Sequence, residues 1–274
     1  MLDGDSLAHR SYHALPRSIR DAEGRPANMV VGFADTVVAL WGAERPRTVL
    51  ACWDTVGAPT WRHELLPGYQ GGREFPDDLV AQLELLPELV AAAGFANAKG
   101  AGLEADDFLA AAVAAEAASG GEAVVVTSDR DAYQLVGERV TVVRPLRGVS
   151  VVERVGPGEV VERYGVRPDQ VTDFIALRGD PSDRIPGARG IGPKKAAQIL
   201  AAHGSLDAAL QAGMFPAEAD DLRRYRHIAT MRADAPVPGL PDTRPDWAAA
   251  AALVRGRGLA GLADRLAAAG TAAP

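Results

Sequence analysis

The residues best suited to chemistry are carboxylates, gathered at two neighbouring places. "GLEADDFLA" (102–110) puts Glu104, Asp106 and Asp107 within four positions, and "VTSDRDAYQLV" (126–136) sets Asp129 and Asp131 around Arg130. Each group has an ordinary reading, because acids suit the first turn of a helix and Asp is common where a strand turns. An Asp-x-Asp pair alone is a weak metal signal, and glycosyltransferases share it. The joint pattern is stronger. Asp3 near the start, Asp54 after "ACW", and Asp180 and Asp183 in "RGDPSDRIPG" (178–187) enlarge the set to nine acids. Oxygen donors without His or Cys suit Mg²⁺ or Mn²⁺, and more than about four carboxylates exceed what one Mg²⁺ takes. The expectation is two divalent ions.

A second segment carries the opposite charge. In "IPGARGIGPKKAA" (185–197), Gly190 and Gly192 flank Ile191, Pro193 suits the first turn of a helix, and Lys194 and Lys195 follow. Glycines let backbone N–H groups approach a phosphate, and a helix N-terminus is an anion site. An ordinary glycine-rich turn before a surface helix explains this segment equally well. Only three of the 29 basic residues are lysines, so the adjacent pair stands out.

The elements that must position these residues are legible in part. "TVLACWD" (48–54) and "EAVVVTSD" (122–129) are apolar runs ending in Asp and read as buried strands; "RVTVVRP" (139–145) and "VSVVE" (149–153) read as two more. Met1–Leu2 would finish another strand. Helical spacing runs over 28–42, 76–94 and 104–121. Strands alternating with helices predict a mostly parallel sheet flanked by helices, with the site at the strands' carboxyl ends. From residue 157 short helices broken by Gly and Pro replace the strands. We expect an α/β core over 1–156, a helical module over 157–234, and a proline-rich connector with a helical tail over 235–274.

Composition sets outer bounds. The chain is 47% hydrophobic and 24% charged, ordinary for a globular protein with a substantial core. Cys52 is the sole cysteine and the five histidines show no paired spacing, which removes disulfides and argues against zinc. No apolar run is long enough to cross a bilayer and no secretory pattern opens the chain, so a soluble cytoplasmic protein is expected. The net charge of −7 becomes +2 once the nine acids are set aside, so an acidic balance does not exclude a phosphate-rich substrate.

Taken in order, "LDGDSLAHRSYHALP", "WDTVGAPTWRHELLPGYQGGREFPDDL", "GLEADDFLA", "VTSDRDAYQLV", "ALRGDPSDRIPGARGIGPKKAAQIL" and "HIATMRADAPVP" resemble the motifs of the 5′-nuclease domain of bacterial DNA polymerase I, within the wider flap endonuclease family. The likeness spans nearly the whole chain, and a stand-alone protein without a following polymerase domain is expected. It implies a PIN-like core and a helix–turn–helix element in the helical module. It implies a first metal site at Asp3, Asp54, Glu104 and Asp106 and a second at Asp129, Asp131 and Asp180. Asp107 and Asp183 would support both. By the same likeness Arg10 and Arg73 lie near the scissile phosphate, Tyr69 and Gln70 meet the DNA, and Gly187, Gly190, Ile191, Gly192, Lys194 and Lys195 hold the duplex backbone, with K⁺ as the accompanying monovalent ion. Two departures stand out: only Met1 and Leu2 precede the first aspartate, and Gln70 takes the place of the family's lysine. The resemblance implies a monomeric 5′–3′ exonuclease or flap endonuclease of replication or repair, hydrolysing branched or 5′-ended DNA with two metals. The alternatives are a ribonuclease acting on RNA or RNA–DNA hybrids, and a catalytically weak binder of branched DNA.

Overall fold

Apolar runs that end in acids become the middle of a sheet. In the computed structural model, which describes residues 1–72, 74–147 and 151–271 and Arg147 by its backbone alone, six strands form one sheet. They are β1 (Leu2–Asp3), β2 (Leu50–Cys52), β3 (Ala96–Ala98), β4 (Ala123–Val126), β5 (Val140–Arg147) and β6 (Val151–Val155), in the order β3-β2-β1-β4-β5-β6. All neighbours pair in parallel except β6, which runs antiparallel to β5. Residues 149–150 of the expected last strand lie outside the described residues.

Successive side chains point to opposite faces, as a two-residue period requires. Leu50, Cys52, Val125 and Val142 join the hydrophobic cluster on one face, while Ala51, Trp53, Val126 and Val143 join the cluster on the other. That is why these strands read as unbroken apolar runs. The chain order reverses between β1 and β4, the switch point where open α/β sheets form their crevice.

The helices complete both layers. In chain order they are α1 (Gly4–Ala14), α2 (Asn28–Glu44), α3 (Trp61–Leu65), α4 (Asp77–Leu83), α5 (Leu86–Ala92) and α6 (Ala105–Ala118). The helical region then supplies α7 (Pro157–Tyr164), α8 (Val171–Arg178), α9 (Pro193–His203), α10 (Leu206–Gln211) and α11 (Ala219–Ala229), followed by α12 (Trp247–Gly256) and α13 (Ala260–Thr271). The single helix expected over 76–94 is two, because the chain turns at Glu84–Leu85 and Pro87 opens the second. Gly4 is required where it stands: a Cβ there would lie 2.4 Å from the Trp53 ring, which packs against the start of α1.

The helical module has no separate interior. Phe174, Leu200 and Leu222 belong to the same cluster as Leu50 and Phe108 of the core. On the opposite face Val254 and Leu266 of the last two helices join Phe33 and Leu89. The proline-rich connector is pinned on the way, with Thr243 N donating to Arg47 O at 2.8 Å and Asp246 N to Ala93 O at 3.0 Å.

Candidate metal centre

The strand ends deliver their acids to one place. Asp3 ends β1 and caps α1, its Oδ1 accepting from Ser6 N at 2.9 Å and its Oδ2 from the Thr127 hydroxyl at 2.5 Å. Asp54 follows β2 and its Oδ1 accepts from Ala105 N at 2.7 Å, binding the start of α6. Glu104 caps α6 and accepts from the Thr60 hydroxyl at 2.7 Å and the Tyr69 hydroxyl at 3.1 Å. Asp129 follows β4 and its Oδ1 accepts from Asp131 N at 2.9 Å. Asp3, Asp54, Glu104, Asp106, Asp129 and Asp183 line one cleft of about 1100 Å³, with Arg10, Ser128 and Gln70. Asp131 and Asp180 are not in its lining, but Asp131 lies close enough to feel the charges of Asp129, Asp183 and Asp180.

Crowding shows in the acids' protonation. Burial is the largest influence on Asp3 and, aided by Asp54 and Asp129, overcomes the hydrogen bonds from Thr127 and Ser6 to push its carboxyl up to about 7. Burial and then the charges of Asp129 and Asp3 push Asp106 well above the carboxylate range; burial, Asp129, Asp183 and Asp180 do the same to Asp131. Asp180 goes the other way, because bonds from Ser182 and the Arg178 charge outweigh its burial. Among the described residues no three His, Cys, Asp or Glu side chains already converge as metal ligands. Hydroxyls and backbone N–H groups occupy their oxygens instead. The site nonetheless fits a hard divalent cation. Its donors are all oxygen, burial and mutual repulsion raise several of them, and the Ser128 hydroxyl oxygen beside Asp129 is buried with no hydrogen-bond partner among the described residues.

Several expectations need correction. Asp107 is fully buried and outside the cleft: its Oδ1 accepts from Arg62 Nη2 at 2.9 Å and its Oδ2 from Arg62 Nη1 at 3.0 Å and Trp61 Nε1 at 3.1 Å. Its counterion is a guanidinium. Burial works against the Arg62 charge, but Glu104 and Asp107 outweigh it and keep the group firmly protonated. Tyr69 does not face a nucleic acid. It is 3% exposed, and its hydroxyl sits between Glu104 and, at 3.4 Å, Asp183. Gln70 lines the cleft in the left-handed region (φ 48°), and its amide donates to the Tyr69 hydroxyl and to Asp183 Oδ1, both at 3.0 Å. Arg10 reaches the cleft and donates to Leu146 O at 2.6 Å. Arg73 lies outside the described residues.

The glycine–lysine segment divides into two roles. Gly187 (φ 74°) is there for packing, since a Cβ on it would meet Gly179 N at 2.3 Å. The Ile191 N–H donates to Ala188 O, and its half-buried side chain packs on the core cluster, so it anchors the turn. Gly190, Gly192, Lys194 and Lys195 are exposed at the start of α9, with Gly192 as its N-cap. The sequence reading missed Asp5, a buried acid in the cleft whose Oδ2 accepts from Asp54 N at 2.7 Å. Its place two residues after Asp3 was the available signal.

A mostly parallel sheet with acids at its carboxyl ends, joined to a small helical domain, is the architecture of a PIN-like nuclease. The chain belongs to the 5′-3′ exonuclease family: residues 1–165 match its N-terminal resolvase-like domain and residues 166–247 its C-terminal SAM fold. A 5′-3′ exonuclease of Mycobacterium tuberculosis is 38% identical over 227 residues, covering 76% of this chain and 71% of that protein. DNA polymerase I of Mycobacterium bovis is 37% identical over 254 residues, 89% of this chain, and the chain spans 28% of that polymerase's length. The T5 5′-exonuclease with bound divalent metal ions (zinc) shares the fold at a TM-score of 0.70 and 18% identity, covering 97% of each chain.

Proposed function

We propose that this protein is a metal-dependent 5′ nuclease that hydrolyses DNA phosphodiesters at branched or frayed 5′ ends, leaving a 5′-phosphate. One observation carries the reading: acids from three strand ends and the start of α6 line a single cleft, and the chain that runs on from Asp180 and Asp183 leads directly into the exposed Gly190–Lys195 turn. One continuous loop therefore links a cation site to a phosphate site. The T5 relative of the same fold holds divalent ions.

Asp3, Asp54, Glu104 and Asp106 would hold one ion and Asp129, Asp131 and Asp180 another, Mg²⁺ or Mn²⁺ by donor type. Bound there, such ions would supply charge that stabilises the transferring phosphoryl group and lowers the pKa of water. The protein's own residues do the rest. Thr127, Ser6 and Thr60 aim the acids, Tyr69 and Gln70 brace Asp183, and Arg10 offers a cation to the phosphate in the cleft. Lys194 and Lys195, with the first N–H groups of α9, hold the duplex by its backbone and read no bases. The reading includes a monomer, K⁺ at the Gly187–Gly192 turn, and action in the cytoplasm in replication or repair.

The test is a 5′-labelled DNA flap incubated with Mg²⁺, Mn²⁺ or chelator, beside matched RNA and RNA–DNA hybrid flaps. Metal-dependent release of short 5′-phosphorylated DNA products is expected. Binding of the flap without cleavage in either metal would sink the reading in favour of a non-catalytic binder, and preference for the RNA arms would reassign the substrate.

A further inference from the structure

The last residues of α11 and those just after it, His227–Arg232, are docked onto the acid-bearing part of the core by three polar side chains. Arg62 Nε donates to Ile228 O at 3.0 Å, and Asp107 Oδ1 accepts from Arg232 N at 3.0 Å. Gln134 takes two more backbone groups, its Nε2 donating to Ala229 O at 3.0 Å and its Oε1 accepting from Met231 N at 2.9 Å. The Trp61 ring lies 5.1 Å from the His227 ring, centre to centre.

Each of these three side chains also holds an acid-bearing segment. Asp107 accepts from Glu104 N at 3.2 Å and directly follows Asp106. Arg62 pairs with Asp107 and lies 3.5 Å from Glu104 Oε2. Gln134 Nε2 donates to Asp131 O at 2.9 Å. None of them lines the cleft, so none can touch a substrate there. Yet Arg62 is 2% exposed and Asp107 0%, and a buried ion pair as such adds little net stability over apolar packing. What the polar version supplies is fixed geometry.

We infer that His227–Arg232 is a positioning clasp. Through Arg62, Asp107 and Gln134 it sets the Glu104–Asp106 helix start against the Asp129–Asp131 turn, and so fixes how far apart the two groups of acids stand. Arg62, Asp107 and Gln134 are positioning residues, and the inference rests on the metal-dependent reading above. It also ties the helical module to the acids: α11 cannot shift without moving both groups.

Two variants test it. Arg62→Met with Asp107→Leu removes the ion pair at no change in net charge and leaves Glu104 held by the Thr60 and Tyr69 hydroxyls. Gln134→Met alters a half-buried side chain and leaves the pair intact. Mn²⁺ binding is measured by calorimetry without DNA, flap affinity in chelator, folding by thermal melting, and single-turnover cleavage across a Mg²⁺ titration. Both variants should melt cooperatively as metal-free proteins, the double variant at a lower temperature because Ile228 O, Glu104 N and Arg232 N lose partners, and both should bind the flap as the wild type does. Their Mn²⁺ affinity should fall about 10–100-fold, as for other groups that orient metal ligands. Half-saturating Mg²⁺ should rise in step, and high Mg²⁺ should restore most of the rate. Unchanged Mn²⁺ affinity and Mg²⁺ half-saturation in folded variants overturn the clasp; if the double variant does not fold, Gln134→Met decides. Failure of the wild type to bind Mn²⁺ would instead sink the metal-dependent reading itself.

Discussion

The acid cleft and the glycine–lysine turn both present charge to the same substrate, but by opposite means. Asp3, Glu104 and Asp180 are each less than a tenth exposed, and their oxygens are held by hydroxyls, N–H groups or guanidinium. Lys194 and Lys195 stand in solvent, where Lys195 makes one bond, to Gly190 O at 3.3 Å. A buried, connected charge depends on every partner, so its removal changes geometry and solvation together. A solvated charge acts as a screened point, nearly independent of its neighbour. The cleft should therefore fail steeply and cooperatively, the turn gradually and additively.

The largest effect tests the cleft. Asp129→Asn with Asp131→Asn should lower single-turnover cleavage about 10³-fold or more, the scale of losing several kcal/mol of charge stabilisation. Flap affinity in chelator should hold or improve, because two negative charges are gone. Substantial Mg²⁺-dependent cleavage by the purified double variant would remove this pair from the chemistry.

Next in size is the effect of pH on the metal-free protein. Asp3 titrates near 7 when folded and near the ordinary carboxylate value of ~4 when unfolded, so the folded state binds the extra proton between those values. Its contribution to stability is full below about pH 4 and is lost as pH rises through about 7; Asp106 and Asp131, also raised, act in the same direction. The melting temperature of metal-free protein should fall by at least a few degrees from pH 5 to 8, roughly 2–4 °C per kcal/mol at this size. Mg²⁺ should recover most of it at pH 8 and little at pH 5. A flat profile, with or without Mg²⁺, would mean the acids do not crowd as described.

The smallest effect belongs to the turn. Lys194→Ala and Lys195→Ala should each weaken duplex binding and reduce the log–log salt slope by about 0.9, with the two changes adding. Equal slopes across a salt titration would make these lysines a solvated helix start and nothing more.

How much could be read in advance follows from the same physics. Strands β2 and β4 were legible because burial on both faces leaves an unbroken apolar run, and their terminal acids came with them. Strand β3 is three residues, "ANA", too short for any period to register. The helix division at Glu84–Leu85 was hidden because apolar spacing continues across it while the backbone does not. Tyr69 and Asp107 were misplaced for a different reason. Their surroundings come from α3, α6 and the segment after α11, and no local pattern in one of them reports the others. Arg62, a single basic residue in "TWRHE", gave no sign of the two carboxylates it would meet.

The contact between Gly179 and Gly187 carries a further consequence for how this protein can change over generations. The two backbones touch with no room for a side chain on either, one glycine just before Asp180 and the other leading into the Gly190–Lys195 turn. Residues 179–187 are therefore a single unit whose route is fixed at both ends, and Asp180 lies inside it. A lineage adapting the lysine turn to a new substrate can revise Arg189, Lys194 or Lys195 freely. It cannot lengthen or re-route the stretch between the two glycines without displacing Asp180. Homologous loops grafted from residue 188 onward should be tolerated, whereas grafts with a junction between 180 and 187 should cost the acid end as well.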